Sequence, residues 1–93
     1  MNNEKIPDKY LPIGTVCLLK KSVKRVMITG FLMINPSDNK KYDYMGCLYP
    51  EGILKTDHFL LFNHDDITSV AYMGYDDVER KLFNKRLNEL EEQ

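Results

Sequence analysis

The run KRVMITGFLMI, residues 24–34, sets Val26, Ile28, Leu32 and Ile34 on one side of an extended chain and Met27, Thr29, Phe31 and Met33 on the other. That period of two predicts a strand at least half covered on both faces. Gly30 in its middle predicts a bulge or bend, because a residue without Cβ weakens a flat strand but permits a corner. Upstream, PIGTVCLLK (12–20) gathers β-branched and apolar residues ahead of a lysine cluster, the pattern of a first strand. Downstream, NPSDN (35–39) favours a turn, and residues 41–49 return as the third strand of a hairpin. There Tyr42, Tyr44, Gly46 and Leu48 face one way, and Asp43, Met45, Cys47 and Tyr49 the other. Tyr49-Pro50-Glu51-Gly52 fits a type I turn, with proline presetting φ and glycine at the last position. HFLLF (58–62) and ITSVAYM (67–73) complete five strands, separated by Asn63-His64-Asp65-Asp66, where Asn63 and Asp65 are expected to hold a turn or cap a helical one.

From Asp76 the period changes. Phe83, Leu87 and Leu90 fall at i, i+4 and i+7, flanked by Val78 and Leu82, which predicts an amphipathic helix. Asp76 with Glu79 reads as a capping box and Asp77 with Lys81 as a favourable i,i+4 pair. Glu89, Glu91 and Glu92 crowd the end where the helix dipole prefers cations, so the last turn should fray unless something docks on it. A helix of about 16 residues is marginal alone in water. Its stripe must therefore lie on the sheet or on another protein. The pattern predicts a mainly β chain with a C-terminal α-helix (α+β): a small five-stranded SH3-like antiparallel barrel over 10–74 and one amphipathic helix over 75–92, in a single domain, 1–93.

A chain of 93 residues with 43% hydrophobic content has room for one core and not two. The opening MNNEKIPDKY carries mixed charges and no apolar run, so neither a signal peptide nor a membrane span is expected, and the expected location is cytoplasmic. Cys17 and Cys47 lack metal or redox spacing and are expected as reduced, buried thiols. Net charge is −1, unevenly spread: Lys20, Lys21, Lys24, Arg25, Lys40 and Lys41 stand against Asp38 alone, and the chain beyond Tyr42 is acidic. Such asymmetry describes two solvated faces, or orients the domain against a charged partner.

Candidate chemistry is sparse. Cys47 with His58 or His64 would make a thiolate–imidazole pair only if the ring reached the sulfur, and a cysteine inside an apolar strand is ordinarily a small hydrophobe. His64-Asp65-Asp66 resembles a metal phosphohydrolase pair, yet only two histidines exist in the chain. Asp65-Asp66 and Asp76-Asp77 read as caps. No GxGxxG, P-loop, GxSxG or HExxH pattern occurs. No catalytic, cofactor or metal residue is assigned, and no cofactor is expected. Tyrosine gives large contact area at low rotamer cost, so Tyr42, Tyr44, Tyr49, Tyr72 and Tyr75 are read as a recognition patch, and Tyr42, Tyr44 and Tyr49, with Phe83, Leu87 and Leu90 of the helix, are the candidate partner-binding residues. Each has core packing as its plainer role. The first-hairpin lysines beside Tyr42 and Tyr44 supply the ingredients of a nucleic-acid surface, a second reading that the overall charge disfavours.

Taken in order, YLPIGTVCLLK, KRVMITGFL, YDYMGCLYPEG, FNHDDI and GYDD resemble a small bacterial family, the domain of unknown function family 4176, over nearly the whole chain. The family is associated with Gram-positive bacteria and with genes for type VII secretion and its polymorphic toxins. The resemblance implies an accessory role there and carries over no catalytic residues; the polar stretch 2–9 gives no sign that this chain is itself exported. The expectation is a non-enzymatic cytoplasmic adaptor or chaperone whose protein partner is a secreted toxin or a secretion component.

Overall fold

The computed structural model of the chain describes Ile6 and residues 8–91. Its elements are β1 (Val16–Leu19), β2 (Arg25–Asn35), β3 (Lys40–Leu48), β4 (Leu60–Phe62), a 3-10 turn (His64–Asp66), β5 (Ile67–Tyr72) and α1 (Val78–Glu91). All pairings are antiparallel and the sheet order is β4-β3-β2-β1-β5.

The bulge expected at Gly30 is present and has a larger effect than a bend. Ile28 pairs with Gly46 but Gly30 pairs with Met45, so β2 carries one extra residue. Because side chains alternate with period two, one inserted residue exchanges the faces beyond it. Val26 and Ile28 are buried on the inner face; past the bulge it is Phe31, opposite Tyr44, that packs on the core, and Ile34 is exposed. The single-face grouping of Val26, Ile28, Leu32 and Ile34 is thereby corrected.

The sheet curls without closing. Five Cα steps from Phe62 to Ile67 span at most about 18 Å even when extended, whereas the edges of a flat five-stranded sheet stand about 19 Å apart. Since β4 and β5 are opposite edges joined through a 3-10 turn, the edges must approach each other. Closure fails because β4 has only three paired residues, Leu60–Phe62, shorter than the expected 58–62, and no ladder joins it to β5 among the described residues. The architecture is thus an open, curled five-stranded sheet with one helix, and not a sealed barrel.

Inside the curl lie Leu11, Cys17, Val26, Ile28, Tyr44, Phe62 and Ile67. Tyr44 stacks on Phe62 with ring centroids 5.3 Å apart. Gly46 makes room for that stack: a Cβ there would lie 2.6 Å from the Met27 carbonyl oxygen and 3.0 Å from the Phe62 ring. The 49–52 turn differs from type I. Its Tyr49–Pro50 peptide is cis, and the Gly52 N–H donates to the Leu48 carbonyl at 2.8 Å, closing a wider loop in which Gly52 takes φ +75°.

Helix α1 begins later than the sequence suggested. Asp77 is its cap, accepting the Arg80 N–H at 2.8 Å, while Asp76 accepts Arg80 Nε at 2.8 Å and Lys81 Nζ at 3.3 Å. The expected Asp76 capping box and Asp77–Lys81 pair are replaced by this arrangement, since one residue's shift of the cap turns Asp76 toward the helix's basic side chains. Glu92, expected in the last turn, lies outside the described residues.

Candidate functional site

Two buried side chains determine where this fold can present a surface. Tyr44 has no exposed area, and its hydroxyl oxygen accepts the Tyr10 N–H at 2.9 Å and the Leu11 N–H at 3.1 Å. With both acceptor positions used, its proton goes to His64 Nδ1 at 2.9 Å, which fixes the neutral ring's own proton on Nε2. Burial pushes the phenol up to about 12, against the lowering effect of those two N–H donors. Asp43 accepts the His64 N–H, and its own N–H donates to Asn63 Oδ1, so β3 holds the start of the 3-10 turn by two bonds. Asp66, rather than Asp65, completes the turn by accepting the Asn63 N–H at 2.9 Å.

Tyr10 extends the same brace to the helix. Its carbonyl accepts Arg80 Nη1 at 3.3 Å and Asn84 Nδ2 at 3.4 Å, and its hydroxyl donates to Glu91 Oε1. Lys9 bridges Glu91 at 3.3 Å and Asp43 at 3.7 Å. The Tyr10 hydroxyl, with Lys9, holds the Glu91 carboxyl below the usual range, while burial pushes the Tyr10 phenol well above its own. The acidic helix end is therefore docked on the segment preceding β1, in cis.

The apolar contribution to docking is small. Leu87 is the buried residue of α1, and Phe83 meets Phe31 edge-on with centroids 6.1 Å apart. Between helix and sheet runs a groove of about 410 Å³ lined by Tyr10, Ile13, Phe31, Tyr75, Arg80, Phe83 and Leu87 among others. Along its open side Tyr75 (80%) and Phe83 (50%) remain exposed, while Val78 (72%) and Leu82 (65%) are exposed on the helix surface turned away from the buried Leu87 and do not line the groove.

The six candidate residues thus separate. Tyr44 is fully buried and serves as an internal support, while Leu87 is buried at the base of the groove. Phe83 and the half-exposed Leu90 stay on the helix, Tyr42 donates its hydroxyl to Asp38 Oδ2 at 2.8 Å at the hairpin tip, and Tyr49 stands elsewhere, its ring centroid 5.2 Å from the Arg25 guanidinium carbon. Ile13 was missed; Tyr75, read as a member of the tyrosine patch, lines the groove instead of joining Tyr42 and Tyr49, and Val78 and Leu82 were legible as flanks of the stripe. The basic cluster separates too: Lys20, Lys21 and Lys24 lie at the start of β2 and Lys40–Lys41 beyond its end. A strand of 11 residues places them roughly 30 Å apart if straight.

The cysteines offer no reactive pair. Cys47 pairs with Met27 on the face opposite Tyr44, while His64 bonds to Tyr44 and His58 is exposed. Burial pushes the Cys17 thiol up to about 11. We expect native Cys17 to resist iodoacetamide at pH 8 and to react within minutes once urea unfolds the chain; mass spectrometry of the labelled peptide reads the difference. Among the described residues no three His, Cys, Asp or Glu side chains group as metal ligands, and no helix is long and apolar enough to cross a membrane.

A family model described as Domain of unknown function (DUF4176) matches residues 10–83. No curated protein and no solved structure matches the chain.

Proposed function

The chain belongs to the DUF4176 family, and from that premise we propose that it is a non-enzymatic adaptor or chaperone that binds another protein along helix α1. The carrying observation is that α1, already tethered in cis by polar contacts, leaves Val78 and Leu82 exposed on the side turned away from the buried Leu87, with Tyr75 and Phe83 exposed at the groove. A helix anchored this way keeps its second apolar side free for a partner, the helix-and-groove mode of recognition. The proposed partner is a secreted toxin or a component of the type VII secretion machinery, and the proposed compartment is the cytoplasm. That placement is supported by the ordered motifs from Tyr10 to Asp77, which carry the family resemblance. The curled sheet, with a 3-10 turn between its edge strands, supports reading the fold as an opened relative of SH3-like barrels. A nucleic-acid role receives less support, because β2 divides the lysines that would have formed one surface.

Val78→Asp with Leu82→Asp tests the reading. Both side chains are exposed, so stability should change by no more than about 1 kcal/mol in total. Recovery of co-expressed secretion proteins should fall about tenfold or more, the loss expected for central apolar anchors. Equal recovery by the parent chain and a folded double variant would end the proposal.

A further inference from the structure

We propose a second docking site, on the outer face of the sheet, that takes an extended acidic segment of a partner protein. Tyr72 pairs with Val16, Val16 with Met27 and Met27 with Cys47, so these four form one transverse row across β5, β1, β2 and β3. The row lies on the face opposite the core, because its neighbours Cys17 and Val26 point inward. Val16 and Cys47 are nevertheless buried, while Tyr72 (66%) stands exposed at one end of the row and Tyr49 projects beside the other. The result is a cleft of about 390 Å³ with an aliphatic floor and tyrosine walls.

Its charge indicates what fits. No lining residue is acidic, and the only charged one, Arg25, lies over the Tyr49 ring and makes no ion pair among the described residues. Lys20 and Lys21, in the adjoining β1–β2 turn, are likewise without ion pairs there; Lys24 is neutralised by Glu51 at 2.6 Å. A guanidinium placed over an aromatic ring still has N–H donors to offer a carboxylate. Three strand gaps separate β5 from β3, about 14 Å, a width that a helix of about 10–12 Å would fill alone. An extended chain is narrower: it can set an aliphatic side chain on that floor and its carboxylates on Arg25 and the turn lysines. The cations are confined to one end of β2, too few for the phosphate track that nucleic acid requires.

The site is separate from the helix groove and stands whether or not α1 binds anything. The test is fluorescence anisotropy of the full chain with a labelled octapeptide that alternates glutamate with leucine and proline. Binding at low salt should weaken about tenfold or more in Arg25→Glu and in Tyr72→Ala, with an intermediate loss in Arg25→Lys, and should be unchanged in Phe83→Asp. Both altered residues are exposed, and unchanged circular dichroism would establish that their variants fold. The proposal is overturned if the parent chain does not bind the peptide, or if a lysine-for-glutamate peptide binds as well. Tighter binding of an oligothymidylate, or self-association of the parent abolished by Arg25→Glu, would assign the cleft to nucleic acid or to a second copy, and would equally overturn it.

Discussion

Gly74→Ala is expected to destabilise the fold by about 3 kcal/mol or more, the upper range for inserting a methyl into a site that cannot give way. A Cβ at this position would fall well inside contact of the Ile13 carbonyl oxygen, 2.9 Å from Thr15 N and 3.0 Å from Ile13 C. All three are backbone atoms, so no rotamer change relieves the overlap. Shifting Gly74 away would break its N–H bond to Thr15 Oγ1, 2.9 Å long and fully enclosed, at the junction where β5 leads into α1. Against a total stability of roughly 5 to 14 kcal/mol for a chain of this length, that is a large fraction. Gly52→Ala is the control: nothing lies within 4 Å of its added methyl, but φ is +75°, so only about 1 kcal/mol of backbone strain is expected. Urea unfolding followed by circular dichroism separates the two, and equal midpoints would refute the packing argument.

What the sequence revealed and what it hid divide along the range of the interaction. Strand alternation, the Gly30 bulge, the turn at Asn63–Asp66 and the helical period are local, and each was legible from a few neighbouring residues. The consequence of the bulge was not, because whether Phe31 or Leu32 faces inward depends on which residue Tyr44 pairs with across the hairpin. Whether Tyr44 served the surface or the core was left open by the sequence, because the groups it serves, the N–H of Tyr10 and of Leu11, lie 34 and 33 residues away. The helix cap moved from Asp76 to Asp77 for a related reason: either aspartate satisfies the local pattern, and Arg80, tied to the Tyr10 carbonyl, leaves Asp76 as its salt-bridge partner. Of the candidate site, the helix stripe could be read from periodicity. The cleft could not, since Arg25, Tyr49 and Tyr72 are joined only by the strand order β5-β1-β2-β3.

Tyr44→Phe is expected to cost about 2 to 6 kcal/mol, from two buried N–H groups losing their acceptor at about 1 to 3 kcal/mol each. The substitution keeps the ring, so its stack on Phe62 and tilted contacts with Phe31 and Tyr10 are retained. Removing one oxygen strands Tyr10 N and Leu11 N in the core and leaves His64 Nδ1 without its donor. Tyr10 is more vulnerable than an ordinary residue, since it is held at φ +68°, a left-handed conformation costing about 1 to 2 kcal/mol that its bracing must offset. Released from Tyr44, this segment should relax, and with it the carbonyl that anchors Arg80 and Asn84 and the hydroxyl that anchors Glu91. The helix should then loosen from the sheet before the strands unfold, because Leu87 is its one buried residue. Amide hydrogen exchange reads this order directly: Tyr10, Leu11 and the amides of α1 should lose protection together while β2 and β3 keep theirs. Tyr42→Phe, which removes only an exposed bond to Asp38, should stay within about 0.5 kcal/mol of the parent. A Tyr44→Phe loss no greater than that of Tyr42→Phe, with α1 still protected, would show that the helix is held by its apolar contacts and not by this hydroxyl.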